Sequence, residues 1–420
     1  MRKLLFLSLL LTSQLSHAVE FDIFQSDYKP LNVALLIDGL PEQEKQQALL
    51  RGVIQNDLES SQSFRMLNPM GFLVFADEAF QGIDYTDWRV IAANVLVLCR
   101  LTEKATVWHV DLQVHQPFQG KQILTQGFEV PKDGLRRLAH QLSDRIYQSI
   151  LNIPGHFSSQ ILYVTKHGNK SDLMYMDQDG YNLQAVGKDF TLLLSPDWSP
   201  DGRFVALNTY VGNRPRLETF DLLTGKRHAF GRFQGLNSTP EYSPDGRYIA
   251  ATLSWTGNSN IHIYDRNNKS WKQLTHYRGI DTTPTWSADG KWIAFGSNRS
   301  GSPQIYRMPV NGGKAQRISL KGSYNTSPVW SPLGSRIAFI TKKKWKYALA
   351  TARVDGSDVR YLATAQAIES PSWSPNGQML LYSVEEHGRR RVYRVPSWGG
   401  EAVPITAANQ DASDPSWSHY

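Results

Sequence analysis

His109 and Asp111 stand two residues apart in the run Val107–Val114, where apolar and polar residues alternate. On a strand, that spacing puts both side chains on one face. An imidazole beside a carboxylate can hold a metal ion or pass a proton. Two such groups fall short of the three or four protein ligands that zinc sites use, so a structural pair is expected. Cys99 is the one cysteine. It follows Val97 and Leu98, which marks it as a small core residue rather than a nucleophile. A single thiol also excludes an internal disulfide. No Gly-x-Ser-x-Gly pentapeptide occurs, so the nucleophile elbow of an α/β-hydrolase is missing. A glycosidase needs two carboxylates at a set separation. Loops of a repeat fold could bring such a pair to one mouth. No catalytic residue, metal ligand or cofactor is expected. A propeller hydrolase (peptidase or glycosidase) stays as the alternative, beside a polysaccharide-binding propeller using surface aromatics such as Trp345.

The elements that would position any such group are set by a recurring stretch in the second half. It reads Ser195-Pro-Asp-Trp-Ser-Pro-Asp-Gly202, then Thr239-Pro-Glu-Tyr-Ser-Pro-Asp-Gly246 and Thr283-Pro-Thr-Trp-Ser-Ala-Asp-Gly290. It continues as Ser327-Pro-Val-Trp-Ser-Pro-Leu-Gly334, Ser370-Pro-Ser-Trp-Ser-Pro-Asn-Gly377 and Asp414-Pro-Ser-Trp-Ser418. The aromatic anchors Trp198, Tyr242, Trp286, Trp330, Trp373 and Trp417 are spaced by 44, 44, 44, 43 and 44 residues. Such a period with one aromatic signature per unit announces the blades of a β-propeller. Residues 161–182 match only the later part of a unit, and residues 414–418 only the early part. The two half units together make one blade. The expected architecture is six blades, with the C-terminal strand completing the first and removing an open sheet edge. Ser-Pro-Asp-Gly fits a β-turn, Pro fixing φ at its second position and Gly standing at its fourth. The Pro-x-Trp segment is read as part of that turn, its Trp wedged between blades.

The preceding part is different in kind. Met1-Arg-Lys, an apolar run Leu4–Leu11 and Ser16-His-Ala18 have the plan of an export signal cleaved after Ala18. Val19–Phe24 alternates in strand fashion, a pattern suited to adding a strand to a partner's sheet or to an edge strand of its own domain. A buried strand is expected over Leu31–Ile37, then a helix from Pro41 whose inward face carries Leu49, Leu50, Val53, Ile54 and Leu58. Strand-like runs follow near Val90–Leu101, Val107–Val114 and Ile123–Val130. Pro131 opens a last helix bearing Leu135, Leu138, Ala139, Leu142, Ile146 and Ile150, ended by Pro154-Gly155. The expected division is therefore a signal over 1–18, a small α/β domain with a mixed sheet over 19–154, and an all-β six-bladed propeller over 155–420.

Charge follows this division. Residues 19–154 hold 12 Lys and Arg against 17 Asp and Glu, a net of −5. Residues 155–420 hold 31 against 21, a net of +10. Export argues against nucleic acid as the reason for the basic half. A solvated face, or one turned to an acidic partner, is expected. Lys342-Lys-Lys-Trp-Lys346 and Arg389-Arg-Arg391 read as exposed hairpin turns.

Several short stretches carry a resemblance. They are Asp57-Leu58, Ser61, Phe64, Trp88, Ala139-His140, Ser143-Asp144, Gly155, Phe157 and Asp177-Gln-Asp-Gly-Tyr-Asn182, in that order before the Pro-x-Trp-Ser units. With the signal and the domain order, the chain resembles the TolB family, periplasmic propeller proteins of the Tol–Pal envelope system. The resemblance implies a non-enzymatic adaptor without cofactor, monomeric, and associated with membranes only through partners. It implies roles in outer-membrane integrity and in constriction at cell division. The family's mature N-terminus contacts a TolA-type inner-membrane protein, and here maps to Val19, Glu20, Phe21, Asp22, Ile23 and Phe24. Its loops before the Pro-x-Trp segments contact a Pal-type lipoprotein, and map to Leu236, Asn237 and Thr239 and to Asp281, Thr282 and Thr283. Gln25-Ser26 stand where the family usually has a glycine, and Leu236 where it often has a histidine.

Overall fold

The computed structural model describes residues 29–419. The expected signal and the segment Val19–Phe24 lie outside the described residues. The chain divides into two units between Ser158 and Ser159.

The first unit holds strands β1 (Leu31–Asp38), β2 (Phe64–Met66), β3 (Val95–Glu103), β4 (Val107–Gln116) and β5 (Lys121–Pro131). Their order is β2-β1-β3-β4-β5. β1 runs parallel to β2 and β3, while β3, β4 and β5 form an antiparallel meander, so the sheet is mixed. Its longer helices are α1 (Glu44–Ser60) and α4 (Leu135–Leu151), with the short α2 (Ala76–Gln81) and α3 (Tyr85–Val90) between them in sequence. Period-2 alternation sorts the core. Val33, Leu35, Ile37, Val95, Val97, Cys99 and Leu101 pack with α1 and α4 on one face. Ala34, Leu36, Leu96 and Leu98 pack with Ala79 and Trp88 on the other. Strands covered on both faces read as continuous apolar runs, as β1 and β3 do. Burial pushes the Cys99 thiol up to about 12, so it stays protonated and inert.

Two sequence expectations are corrected here. The run Val90–Leu101 is not one strand: α3 ends at Val90, Ala92 turns the chain at φ 56°, and β3 starts at Val95. Leu49 is 37% exposed, so the inward stripe of α1 is Leu50, Val53, Ile54 and Leu58. His109 and Asp111 do share a face, at 3.1 Å. They belong to a surface network in which Glu129 also meets His109, at 3.3 Å.

The residues behind the resemblance have structural work. Asp57 of α1 and His140 of α4 are both buried and lie 2.8 Å apart, an ion-pair or hydrogen-bond link between the two helices. Asp144 accepts the main-chain N–H groups of Phe157 at 2.7 Å and Ser158 at 3.2 Å. A Cβ at Gly155 would come within 2.4 Å of the Asp144 Cα, so only glycine lets these two backbones approach.

The second unit consists of six four-stranded sheets. The first blade pairs Ala412–Trp417 with Gln160–His167, followed by Lys170–Asp177 and Gln184–Phe190. Its seam places Trp417 opposite Ile161 and Ala412 opposite Thr165 in antiparallel register. The second to sixth blades begin with innermost strands Leu193–Trp198, Asn237–Tyr242, Asp281–Trp286, Asn325–Trp330 and Ile368–Trp373. Across the seam, Arg394 of the sixth blade donates to the Gln178 side chain at 2.8 Å. Gln178 is the second residue of the Asp177–Asn182 turn.

The recurring motif has two parts. Ser-Pro-Asp-Gly is the turn: the glycine N–H donates to the serine carbonyl in all five complete units, at 2.8–2.9 Å. Pro-x-Trp, read from sequence as part of that turn, is instead the end of the innermost strand. A β-bulge falls at its proline, where a missing N–H costs least because the strand is at the sheet's inner edge. The basic runs are partly as expected. Lys342–Lys346 forms the exposed hairpin between strands Arg336–Lys343 and Lys346–Arg353. Arg389–Arg391 instead opens strand Arg389–Pro396, with Arg390 3.6 Å from Glu369 and Arg391 3.6 Å from Glu386.

Candidate functional site

The innermost strands surround a cavity of about 570 Å³. The residue before each proline lines it: Ser195, Thr239, Thr283, Ser327, Ser370 and Asp414. All six have φ between +47° and +52°. That conformation is unusual for residues with a Cβ, and the residue before proline is further restricted. Six repeats of such strain persist because the bulge and the neighbouring blades over-determine the backbone. The result is a ring of five hydroxyls and one carboxylate turned toward one space.

The residue after each proline links the blades. Asp197 accepts the main-chain N–H of Tyr242 in the next blade at 2.7 Å. Glu241 accepts that of Trp286 at 2.8 Å and the Thr285 hydroxyl at 2.8 Å. Thr285 accepts that of Trp330 at 3.0 Å, and Ser372 that of Trp417 at 3.0 Å. The indole N–H groups reach back in the same way. Trp198 donates to the Ser416 carbonyl at 3.1 Å, Trp286 to Glu241 at 3.2 Å and Trp373 to Val329 at 3.0 Å. Trp198, Trp286 and Trp373 are therefore wedges between blades with a polar tether, whereas the Trp330 indole N–H donates to Gly334 in its own blade at 3.0 Å and the Tyr242 hydroxyl is buried without a partner among the described residues.

The cavity is acidic inside a basic propeller. Asp197, Glu241, Glu369 and Asp414 line it, and no Lys, Arg or His is among the described residues that do. Desolvation pushes the Asp197 carboxyl up to about 7. Glu241 is also raised well above its ordinary range, by desolvation first and then by the neighbouring Asp197 charge. Two carboxyls with elevated proton affinity can mimic a general acid–base pair. Here each is committed to the N–H of the next blade, which makes them fasteners. In the first blade, His167, Asp172 and Asp189 bring possible ligand atoms within 4.8 Å of one another. Asp172 is already bonded to the Asp189 N–H at 2.8 Å and paired with His167 at 3.0 Å.

Of the family-mapped residues, Thr239 and Thr283 line this channel, and the others begin the same two innermost strands or immediately precede them. Leu236 is half-buried and its N–H donates to the Ser254 hydroxyl at 2.7 Å. Asn237 is fully buried, its amide bonded to the Phe233 and Gly235 carbonyls at 2.8 and 3.1 Å. Asp281 is also fully buried and receives both of its hydrogen bonds from Arg299, at 3.0 and 2.9 Å. Arg299 in turn lies over the rings of Tyr277, Phe295 and Tyr306. Thr239 and Thr283 are brought together by Thr252. Its hydroxyl is 2.9 Å from that of Thr239 and accepts the Thr283 N–H at 3.1 Å. Thr282 is half-buried. Val19–Phe24 are outside the described residues, so the structure does not place them.

Sequence reading missed three residues here. Thr252 carried no signal, because its role depends on two strands from different blades. Trp255 and Ile280 are 49% and 50% exposed. They flank the mapped loops: Trp255 follows Ser254, which holds Leu236, and Ile280 precedes Asp281. A tryptophan in the polar loop Ser254–Asn260 was a readable sign of an exposed aromatic.

Comparison with known proteins gives a consistent picture. A model described as "TolB amino-terminal domain" matches residues 20–123, and one described as "TolB beta propeller domain" matches residues 147–420. The Tol-Pal system protein TolB of Pelagibacter ubique is 33% identical over 233 residues, 52% of each chain. That of Chromobacterium violaceum is 35% identical over 196 residues, 46% of this chain and 45% of the relative. The matches thus span about half the length of these curated relatives. The crystal structure of TolB from Acinetobacter baumannii superposes with a TM-score of 0.85 at 29% identity, covering 93% of this chain and 97% of that one.

Proposed function

The chain belongs to the TolB family, and from that premise we propose that it is a non-enzymatic adaptor of a Tol–Pal envelope system. In this reading it is exported to the periplasm by its N-terminal signal. Residues Val19–Phe24 engage a TolA-type inner-membrane protein, and the channel mouth between the third and fourth blades engages a Pal-type lipoprotein. The adaptor then serves outer-membrane integrity and constriction during division. It acts as a monomer, without cofactor or nucleic acid, and meets membranes only through these partners.

One observation carries the reading. At the mouth, the polar side chains of Asn237 and Asp281 are consumed by bonds within the chain, while Leu236, Trp255, Ile280 and Thr282 keep exposed surface. Such a rigid rim with a tryptophan suits docking, where a few large anchors carry most of the affinity. Asp197 and Glu241, the most enzyme-like groups, are bound to main-chain donors, which supports a non-catalytic role.

The test is calorimetric titration of a purified Pal-type periplasmic domain into the mature chain. Binding is expected, with loss of about tenfold or more in Trp255→Ala or Leu236→Asp. No binding to the unaltered chain, or full binding by both variants, would overturn the assignment.

A further inference from the structure

A second cavity, of about 650 Å³, lies between the third and fourth blades, beside their Ser-Pro-Asp-Gly and Ser-Ala-Asp-Gly turns. Its walls include Tyr248 and Trp286, whose rings lie 6.3 Å apart at 23°. Asp245, Asp265 and Asp289 also line it, with Lys272 exposed at the rim.

The repeat supplies an internal template for what belongs there. At the boundary between the second and third blades, the same position is filled by Arg266. Its guanidinium lies 5.7 Å from the Phe204 ring centre and 5.2 Å from that of Tyr242. It donates to the Gly246 carbonyl at 2.6 Å and interacts electrostatically with Asp201. The correspondence is fixed by the backbone. Arg266 N–H bonds the Arg247 carbonyl at 3.1 Å, and Val310 N–H bonds the Lys291 carbonyl at 3.0 Å, one blade later. Phe204, Tyr242, Gly246 and Asp201 therefore correspond to Tyr248, Trp286, Gly290 and Asp245, all four of which line the cavity. Even the flanking cation repeats: Arg203 lies 5.0 Å from Phe204 and Arg247 4.9 Å from Tyr248. The rings change type but keep their places, while the filler changes from arginine to valine. Val310 is too short to cover the rings, so the slot that holds a guanidinium at one boundary is open at the next.

We propose that this cleft is a binding site for a guanidinium group, an arginine side chain presented by a partner protein. Tyr248 and Trp286 supply aromatic faces, and tryptophan is the best of the cation–π partners. The Gly290 carbonyl takes the place of that of Gly246 as acceptor. Asp245 supplies the charge. Its carboxylate is met by the Ser243 hydroxyl and the Arg247 main-chain N–H, neither of which neutralises it. Asp265 is held by Arg247 at 3.0 Å and Asp289 lies 3.8 Å from Lys291, whereas Asp245 feels the Arg247 charge only at longer range and is the wall's carboxylate best placed to take a further cation. A planar guanidinium, with donors in its edge and a weakly hydrated face, matches a ring-and-carbonyl slot better than an ammonium does. The site is separate from the channel mouth and does not depend on the partner reading above.

The test uses the full mature chain and short peptides with one central arginine, or with citrulline, its uncharged isostere. Binding is read by saturation-transfer NMR and calorimetry. The arginine peptide is expected to bind at least about tenfold more tightly than the citrulline peptide. Val310→Arg, which fills the slot as Arg266 does, should abolish binding and raise the melting temperature. Asp245→Asn is the second variant, judged if the first fails to fold, and should weaken binding severalfold. Equal affinity for the two peptides, or unchanged binding in Val310→Arg or Asp245→Asn, would overturn the proposal. So would free guanidinium chloride binding as tightly as the peptide, which would make the site one for small cations.

Discussion

Glu241, on the innermost strand of the third blade, accepts a 2.8 Å hydrogen bond from the main-chain N–H of Trp286 in the fourth. Trp286 returns a bond from its indole N–H to the Glu241 carbonyl at 3.2 Å. Two residues in different sheets thus satisfy each other, and the motif that repeats in sequence is the means by which blades recognise their neighbours. Glu241→Ala would leave the Trp286 N–H and the Thr285 hydroxyl without their acceptor. A loss of roughly 1–3 kcal/mol is expected in urea unfolding, and Glu241→Gln, which keeps an oxygen there, should recover much of it. Equal destabilisation by both variants would mean that charge, not hydrogen bonding, matters.

The two channel carboxyls predict a pH dependence. The Asp197 carboxyl is pushed up to about 7 in the folded chain, above its unfolded value of about 4. The folded state therefore binds more protons across that window. The stabilisation is present in full at the acidic end and is lost as pH rises through it. One such group changes stability by at most about 1.4 kcal/mol per pH unit. Asp197→Asn should flatten the slope of unfolding free energy between pH 5 and pH 7 (about the predicted window). An unaltered slope would assign the dependence to other groups.

Asp281 and Leu236 were drawn from the same family mapping, yet they should fail differently. Asp281→Ala strands Arg299 against three aromatic rings without its counter-charge. Breaking a buried pair on one side costs about 3–5 kcal/mol, visible as a large fall in melting temperature. Leu236→Asp changes a half-exposed rim position and should alter stability by only about 0.5 kcal/mol. Any loss of Pal-type binding in Asp281→Ala should track unfolding, whereas in Leu236→Asp it should appear with the fold intact. Circular dichroism melts beside the titrations separate the two.

A truncated chain starting at Ser26 lacks Val19–Phe24 entirely. It should melt within a few degrees of the longer chain but lose capture of a TolA-type domain on beads. A large drop in melting temperature would show that the segment is an edge strand of its own domain.

Much of the fold was legible because the physics was local and repeated. The spacing from Trp198 to Trp417 gave the blade count, and the half units at residues 161–182 and 414–418 gave the seam. The inward face of α4 followed from helical periodicity. What stayed hidden depended on groups distant in sequence. Pro-x-Trp looked like a turn because proline and serine cluster there, yet the neighbouring strand turns it into a bulge. Asp281 reads as an exposed loop acid until Arg299, eighteen residues on, covers it. Trp255 could have been read as an exposed aromatic, but its place beside Ile280 could not, because that depends on which loops stand beside which. The open slot under Val310 appears only when one blade boundary is laid over the next.

The seam of the first blade has a consequence for how the ring is made. Gln160 donates its N–H to the Ser418 hydroxyl, a partner 258 residues later. Four of the six blade boundaries join blades that are continuous and consecutive in sequence, so those blades can accrete in order as the chain emerges. The first blade cannot be completed until the last strand arrives. Contacts of such separation are slow to form and leave edges exposed meanwhile. Gln160–His167 pairs at once with Lys170–Asp177, but its inner edge is thus an open template for the longest interval of any strand in the propeller. In that interval a chaperone, or a second chain's own Ala412–Trp417, would compete for the place that its own chain finally takes.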